Sequence, residues 1–294
     1  YRNLWFAKTK FQSMLITLSN TKISASINTI GAELSRLEKN NKNYIWTIDE
    51  DFWNRTSPIL FPIVGRLKND TYRFKNKTYP LQRHGFARNF DFKIENKTEN
   101  SALFSFVSTT ETLLQFPFEF ELKMEYRLTE NGLEITYFVC NKSDEVMPFS
   151  IGAHPAFAID HAFDNYSLVF NQSEKMISHQ LENELFDGSI REIEAKNGKI
   201  NLDYSLFEQD ALVFKELKSN EITLQHKNEF VLKMSFEGFP YLGIWTKPNA
   251  PFLCIEPWCG LADNLNHNGS IEEKEGINFL QPQAIFTRTI KIEL

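Results

Sequence analysis

The chain has 294 residues, of which 42% are hydrophobic and 24% charged, a balance typical of a globular protein with a sizeable core. Its formal net charge is −6 and it has no basic stripe, which argues against nucleic acid as a partner. No apolar run is as long as the roughly 18 residues that a membrane-spanning helix needs, so we expect no membrane span.

The ends and the cysteines of the chain indicate its organisation. Residues 1–13 lack the apolar core of a secretory signal, and an alternating segment starts directly after Met14. We interpret residues 1–13 as an N-terminal extension or expression remnant and residues 14–294 as a single domain. Cys140, Cys254 and Cys259 fit no disulfide framework, and the last two lack the second cluster of a zinc site. Reduced thiols in a cytoplasmic protein are the expectation.

Alternation with a period of two runs along almost the whole chain and predicts strands. Asn131-Gly132 between two such runs is a strong hairpin signal. Helical signal is confined to single turns at 51–55 and 261–264. This pattern favours an all-β fold, one large antiparallel sandwich with few short helices, although two stacked smaller sandwiches also fit it. In chain order the predicted strands are 23–27, 31–37, 44–46, 72–74, 79–81, 90–95, 102–108, 118–128, 133–140, 166–170, 211–214, 221–226, 230–236, 241–245, 252–256 and 285–293.

His154 is the first candidate for chemistry. It follows an apolar run through Gly152 and precedes Pro155, which favours an extended backbone at a strand end. Gly152 lets another group approach the backbone closely. A rigidly held histidine can donate or accept a proton near neutral pH, although a buried histidine bonded to a backbone carbonyl fits the pattern as well.

Glu256 has a matching setting, because it closes the apolar run from Phe252 and precedes a proline. A carboxyl group so close to a buried strand is costly unless it is used or paired. Three further candidates are His84 and two arginines that follow glycine-containing motifs, Arg66 and Arg88, whose guanidinium forks suit hydroxyl or phosphate groups.

Asp210 stands at the mouth of the apolar strand predicted at 211–214. An acidic residue in that position is more commonly a turn or cap residue than a ligand-binding one.

In combination these motifs resemble the aldose 1-epimerase (galactose mutarotase-like) family, from about Met14 to the C-terminus. The resemblance is closest to the short bacterial epimerase-like proteins with His-Gly-Phe-Ala-Arg and Glu-Pro-Trp motifs. The matching motifs, in family order, are Gly-Arg at 65–66, His-Gly-Phe at 84–86, Gly-Ala-His-Pro at 152–155, Asp210 and Ile-Glu-Pro at 255–257.

The resemblance implies a β-supersandwich whose sugar-binding cleft lies across one sheet face, and a reaction that interconverts the α and β anomers of an aldose, as in galactose metabolism. It implies Glu256 as base, His154 as acid and His84 as a second hydrogen-bond donor near the ring oxygen. A carboxylate facing a protonated imidazole across the sugar is the expected charge state. Arg66, Asp210 and Arg88 are implied or candidate substrate-binding residues, and no metal or other cofactor is expected.

Alternatives remain within and outside this reaction. The chain could act on a hexose 6-phosphate, with Arg66 and Arg88 as phosphate ligands. It could also be a sugar-binding sensor without turnover. A polysaccharide-processing enzyme is disfavoured, since no second carboxylate stands out as partner to Glu256.

Overall fold

The computed structural model describes residues 13–294. All but the last residue of the predicted extension 1–13 therefore lies outside the described residues, and that interpretation stays a prediction. Within the described part of the chain, no helix is long and apolar enough to cross a membrane.

Strands dominate the described chain, as the alternation predicts. In its first half they are β1 (Leu15–Ser19), β2 (Ile23–Asn28), β3 (Glu33–Lys39), β4 (Lys42–Asn43), β5 (Ile59–Leu60), β6 (Thr71–Phe74), β7 (Lys77–Pro80), β8 (Lys93–Lys97), β9 (Ser101–Val107), β10 (Phe120–Leu128), β11 (Gly132–Asn141) and β12 (Met147–Phe149). In its second half they are β13 (Ile151–Ala153), β14 (Ala156–Ala158), β15 (Tyr166–Phe170), β16 (Met176–Glu182), β17 (Leu185–Ile193), β18 (Lys199–Asn201), β19 (Leu212–Phe214), β20 (Glu221–His226), β21 (Glu229–Ser235), β22 (Tyr241–Trp245), β23 (Phe252–Cys259), β24 (Asn278–Leu280) and β25 (Ile285–Glu293).

The helical segments are each about one turn long. They are α1 (Thr110–Leu113) and 3₁₀ turns at Lys68–Asp70, Ala87–Asn89, Phe163–Asn165, Tyr204–Phe207 and Ile271–Glu273.

Two large antiparallel sheets form the body of the fold. One has nine strands in the order β18-β15-β20-β21-β25-β11-β10-β9-β8. The other has eight, in the order β17-β16-β19-β22-β23-β13-β5, with β14 also paired to β23. A four-stranded sheet, β1-β2-β3-β4, accompanies them. The predicted all-β antiparallel architecture with few helices is confirmed.

The two large sheets share one apolar core. Leu224 and Ile290 of the nine-stranded sheet belong to the same buried cluster as Ile244 of the eight-stranded sheet. Across the sheets, Phe170 on β15 packs against Phe214 on β19 with ring centroids 6.0 Å apart. Alternate residues supply this core, so the residues between them face outward, and on the eight-stranded sheet those outward residues carry the candidate site.

The two predicted helical turns are wrong. At 51–55 the side chain of Asp49 accepts the N–H of Asp51 and its carbonyl accepts the N–H of Phe52, which closes an isolated turn. The segment 261–264 is not helical because the backbone of Asp263 bonds to the carbonyl of Arg66 and the N–H of Phe186, on two other segments.

Candidate active site

His154 and Glu256 are brought together by the register of one strand pair. β13 pairs with β23 so that Gly152 faces Trp258, and β14 pairs with β23 so that Ala156 faces Cys254. Both pairings follow one register, which is interrupted only at His154-Pro155. Two residues after Gly152 and two before Trp258, that register places His154 directly opposite Glu256. Side chains at directly opposite positions share a sheet face and lie close together. Glu256 therefore lies within its strand, not at its end as the sequence suggested, since β23 continues to Cys259.

The two side chains touch in a nearly dry environment. His154 Nε2 and Glu256 Oε2 are 3.1 Å apart, with side-chain exposures of 8% and 2%. They are not aligned as a hydrogen bond, and neither His154 Nδ1 nor Glu256 Oε2 has a hydrogen-bond partner among the described residues. Both groups therefore keep unused donor or acceptor capacity at a cost in stability, as is common where a site is built for a ligand.

Burial decides the charge state of this pair. It lowers the pKa of His154 to about 3, with the positive charge of Arg83 as the next cause. It also raises the pKa of Glu256 well above the usual range of a carboxyl group. The pair thus holds its shared proton on the carboxyl, and the expected carboxylate and imidazolium are not the favoured state of this arrangement.

His84 lies beside the pair and is fixed by the backbone. Its ring lies 5.8 Å from that of His154 between centroids. The N–H of Gly65 donates to His84 Nδ1 over 3.1 Å, while Arg83 Nε lies 3.1 Å from His84 Nε2. A neutral imidazole has one acceptor nitrogen, so only one of these donors can be satisfied. Since the amide is fixed and the arginine is flexible, we assign the ring proton to Nε2.

Gly65 is required for this arrangement. Its φ is +71°, and a Cβ there would lie 2.6 Å from the Cβ of Ala262. Burial lowers the pKa of His84 well below the ordinary histidine value. His84 is therefore a neutral imidazole that lines the same cleft as the pair.

A cleft of about 830 Å³, open mouth included, contains these groups. The part of its wall beside His154 is aromatic: Trp53 stacks on His154 at 4.9 Å between centroids, and Trp245 meets the same ring edge-on at 6.0 Å. Gly152 allows close approach as predicted, because a Cβ there would lie 2.7 Å from the indole of Trp258.

Comparisons with known proteins relate this chain to a protein family. Residues 14–277 match the family model described as aldose 1-epimerase. The chain is 34% identical over 285 residues to protein LacX of Lactococcus lactis subsp. lactis, in its plasmid and chromosomal forms, covering 92% of this chain and 95% of the relative. The chain belongs to the aldose 1-epimerase family.

Solved structures of family members agree. A galactose mutarotase related enzyme from Lactobacillus acidophilus is 35% identical, with a TM-score of 0.91 and coverage of 95% of this chain and 97% of that one. A galactose mutarotase-like protein from Lactobacillus casei ATCC 334 is 33% identical, with a TM-score of 0.90 and coverage of 95% and 99%. The match extends over nearly the whole length, so this epimerase-family chain shares the fold of these proteins.

Of the other candidate residues of this family member, two line the cleft and one does not. Asp210 and Arg88 line the cleft with His84, His154 and Glu256. Asp210 Oδ1 accepts the N–H of Ala211 over 2.7 Å, and the other carboxylate oxygen makes no hydrogen bond to the described residues. Arg88 makes no ion pair within residues 13–294 and donates from Nη2 to the carbonyl of Arg83 over 2.9 Å. Burial lowers the pKa of Arg88 to about 10.

Arg66 is not among the residues that line the cleft. Its guanidinium forms two hydrogen bonds to Asp70, of 2.9 and 2.8 Å, and reaches Glu184 at 3.4 Å. Its guanidinium is therefore engaged beside the cleft rather than presented to it.

Sequence reasoning missed two charged residues of the cleft, Arg83 and Glu184. Glu184 sits in the two-residue turn between β16 and β17, where Asn183 and Glu184 both have positive φ. Its carboxylate forms an ion pair with Arg83 across the cleft mouth. The Glu-Asn-Glu turn was a possible signal for a hairpin, but nothing local indicates that this hairpin reaches Arg83.

Proposed function

We propose that this chain is an aldose 1-epimerase that interconverts the α and β anomers of a free hexose. The observation that carries the proposal is the buried His154–Glu256 pair, in contact at 3.1 Å in a cleft that also contains the indoles of Trp53 and Trp245. Ring opening and closure need one group that takes a proton and one that gives a proton, each within hydrogen-bond reach of the sugar.

The chemistry balances with one shared proton. One member of the pair removes the proton of the C1 hydroxyl while the other protonates the ring oxygen, and the C1–ring oxygen bond breaks. The open aldehyde rotates about the C1–C2 bond, and the reverse transfers close the ring on the other face. Each proton-transfer partner typically contributes about 10²–10⁴-fold to the rate.

We assign the base to Glu256 and the acid to His154. Because burial favours the proton on Glu256, this assignment requires the proton to pass to His154 when sugar hydroxyl groups bind the carboxylate. The two forms contain the same number of protons, so pH–rate profiles do not separate them. The ¹⁵N chemical shifts of His154 in a sugar complex do: imidazolium supports the assignment, and neutral imidazole reverses it.

The remaining side chains suit a neutral sugar. His84 Nε2–H donates towards the ring oxygen, and Asp210 and Arg88 bind hydroxyl groups. The pyranose C–H face packs against the indoles, which offer broad apolar surfaces. Arg66 contributes through Glu184, since its own guanidinium is paired.

The charges favour a free hexose over a hexose 6-phosphate. The cleft is lined by Arg83 and Arg88 against Glu184 and Asp210, so the formal charges cancel when Glu256 is protonated. Arg83 is already paired with Glu184, which leaves Arg88 alone to face a phosphate dianion near two carboxylates.

Polarimetry on freshly dissolved α-D-glucose, α-D-galactose and glucose 6-phosphate tests the proposal. We expect mutarotation of a free hexose above the buffer rate, and a loss of about 10²-fold or more in Glu256→Gln with an unchanged melting temperature. Sugar binding by calorimetry without any acceleration would make the chain a sensor. Near-normal turnover in a folded Glu256→Gln would make that residue structural. We also propose a cytoplasmic role in hexose metabolism, galactose included, consistent with three buried free thiols.

A further inference from the structure

Cys254 lies next to the proposed acid–base pair, although the proposed reaction does not use it. Cys254 and Glu256 are two residues apart on β23 and therefore share its face towards the cleft. One ligand atom each of His154, Cys254 and Glu256 lies within 4.8 Å of the others. As whole residues, backbone included, His154, Cys254 and Glu256 are 6%, 0% and 2% exposed. We propose that these three side chains bind a thiophilic divalent cation of the Zn²⁺ class.

The geometry is close to that of a zinc centre. Zinc bonds of about 2.0–2.3 Å in a tetrahedron place neighbouring ligand atoms about 3.3–3.7 Å apart. His154 Nε2 and Glu256 Oε2 are already 3.1 Å apart. No pair of the chosen ligand atoms exceeds 4.8 Å, so side-chain adjustments of about 1 Å bring all three into range.

One unused polar atom points to a ligand independently of the cysteine. Within residues 13–294, Glu256 Oε2, the oxygen that lies 3.1 Å from His154 Nε2, is buried without a hydrogen-bond partner. A cation satisfies such an atom, which is otherwise costly to bury. Three protein ligands with an open fourth position is the arrangement of zinc sites that accept an exogenous group.

The donor set selects the metal class. Sulfur and imidazole nitrogen favour Zn²⁺, Co²⁺ and their neighbours, whereas Mg²⁺ and Ca²⁺ prefer sites made of oxygen ligands. Cys254 lies beneath the residues that line the cleft, so an ion reaches it past His154 and Glu256. Bound there, the cation occupies the groups that move protons. This inhibitory consequence depends on the proposed function, whereas metal binding itself does not.

Cobalt titration of the purified chain tests binding without any activity. Co²⁺ bound to a thiolate gives a near-ultraviolet charge-transfer band, and we expect this band in the wild type and its loss on addition of Zn²⁺. Cys254→Ser should abolish it. Cys259→Ser is the matched control, because Cys259 is equally buried on the same strand but faces the other way, with its Sγ 3.7 Å from the carbonyl of Gly238. Absence of the band in the wild type, or its persistence in Cys254→Ser, overturns the proposal.

A second measurement links the site to turnover. Zn²⁺, but not Mg²⁺, should slow wild-type mutarotation, and a chelator should restore it. In Cys254→Ser the inhibition should need at least about tenfold more Zn²⁺, since even indirect changes around a metal cost about 10–100-fold in affinity. Each variant is compared with its own metal-free rate. A cobalt band without wild-type turnover would contradict the proposed function while supporting the metal site.

Folding of the variants is checked by thermal melting. If Cys254→Ser does not fold, Cys254→Ala replaces it. If neither folds, loss of the band in His154→Ala and its retention in Cys259→Ser decide the question in the same way, and retention in His154→Ala overturns the site.

Discussion

A buried ion pair behind the cleft is expected to hold three segments of the fold together. Lys274 Nζ and Asp263 Oδ1 are 2.8 Å apart, and both side chains are 1% exposed. Asp263 Oδ2 also accepts the backbone N–H of Lys68 over 2.9 Å. The Asp263 backbone bonds to the carbonyl of Arg66 and the N–H of Phe186, each within 2.9 Å. The segments around Lys68 and Lys274 thus meet the segment around Asp263 at its carboxylate, while β17 bonds to the Asp263 backbone.

Lys274→Met is the informative substitution, because it keeps most of the apolar stem and removes the ammonium group. The Asp263 carboxylate then stays buried with one N–H donor. Removing one partner of a buried pair costs about 3–5 kcal/mol, and we expect the lower end, about 3 kcal/mol, because the Lys68 N–H remains. One kcal/mol shifts the melting temperature by about 2–4 °C in domains of 150–250 residues, so the expected drop is about 5–10 °C in this larger chain.

Calorimetry or circular dichroism measures this drop. The control is Lys175→Met, which breaks an ion pair of the same 2.8 Å length to Glu192 with side-chain exposures of 66% and 58%. Exposed pairs contribute about 0–1 kcal/mol, so this variant should melt close to the wild type. Asp263→Asn combined with Lys274→Met should recover part of the loss, because no charge is left buried. Equal melting temperatures for Lys274→Met and Lys175→Met would refute the reasoning.

Three further predictions concern the cleft. His154→Asn should lower turnover more than His84→Asn, because only His154 transfers a proton; equal losses in polarimetry would leave the acid unassigned. The value of kcat/KM, which reports the free enzyme, should stay level as the pH falls from about 6 to about 4 in a folded sample. The reason is that burial lowers the pKa of His154 to about 3 and the pair gains its second proton only there; an acid limb near the ordinary carboxyl value of about 4.3 would contradict this. Arg88→Ala should change kcat/KM for free hexose less than about tenfold, the loss of one hydrogen bond; a glucose 6-phosphate preference that disappears in this variant would favour the phosphosugar alternative.

The sequence was most informative where local pattern determines structure. The alternating runs flanking Asn131-Gly132 form the β10–β11 hairpin with Leu128 opposite Leu133. The two apolar runs that end near His154 and Glu256 are strands of one sheet. In each case side-chain periodicity and a turn signal act over fewer than about ten residues, which is the range over which such patterns are informative.

Contacts between residues far apart along the chain could not be predicted from the sequence. The β16–β17 hairpin was not predicted, because its polar stretch lacks strict alternation and the register shifts between His179 and Leu181. Its turn nevertheless carries Glu184 to Arg83, 101 residues away along the chain. Arg66 illustrates the converse, since its motif indicated a substrate ligand while its guanidinium pairs with Asp70, four residues on. A local motif shows that a charged residue is available for binding. Whether its side chain faces the cleft depends on the ion pairs that it forms in the folded chain.

The strand pairing around Pro155 holds the pair in position. Pro155 lacks an N–H, and it separates β13 from β14 opposite the part of β23 that contains Glu256 and Pro257. The N–H of Ile255 still donates to the carbonyl of Pro155 over 3.3 Å, so His154 is held between two short strands that both remain paired to β23. Because the side-chain period of a strand is two, a one-residue slip of β23 would turn Glu256 to the opposite face and into the core. The buried Ile255 and Leu253 on that opposite face oppose such a slip. The same apolar residues that build the sandwich therefore fix the position of the carboxyl group on which the proposed reaction depends.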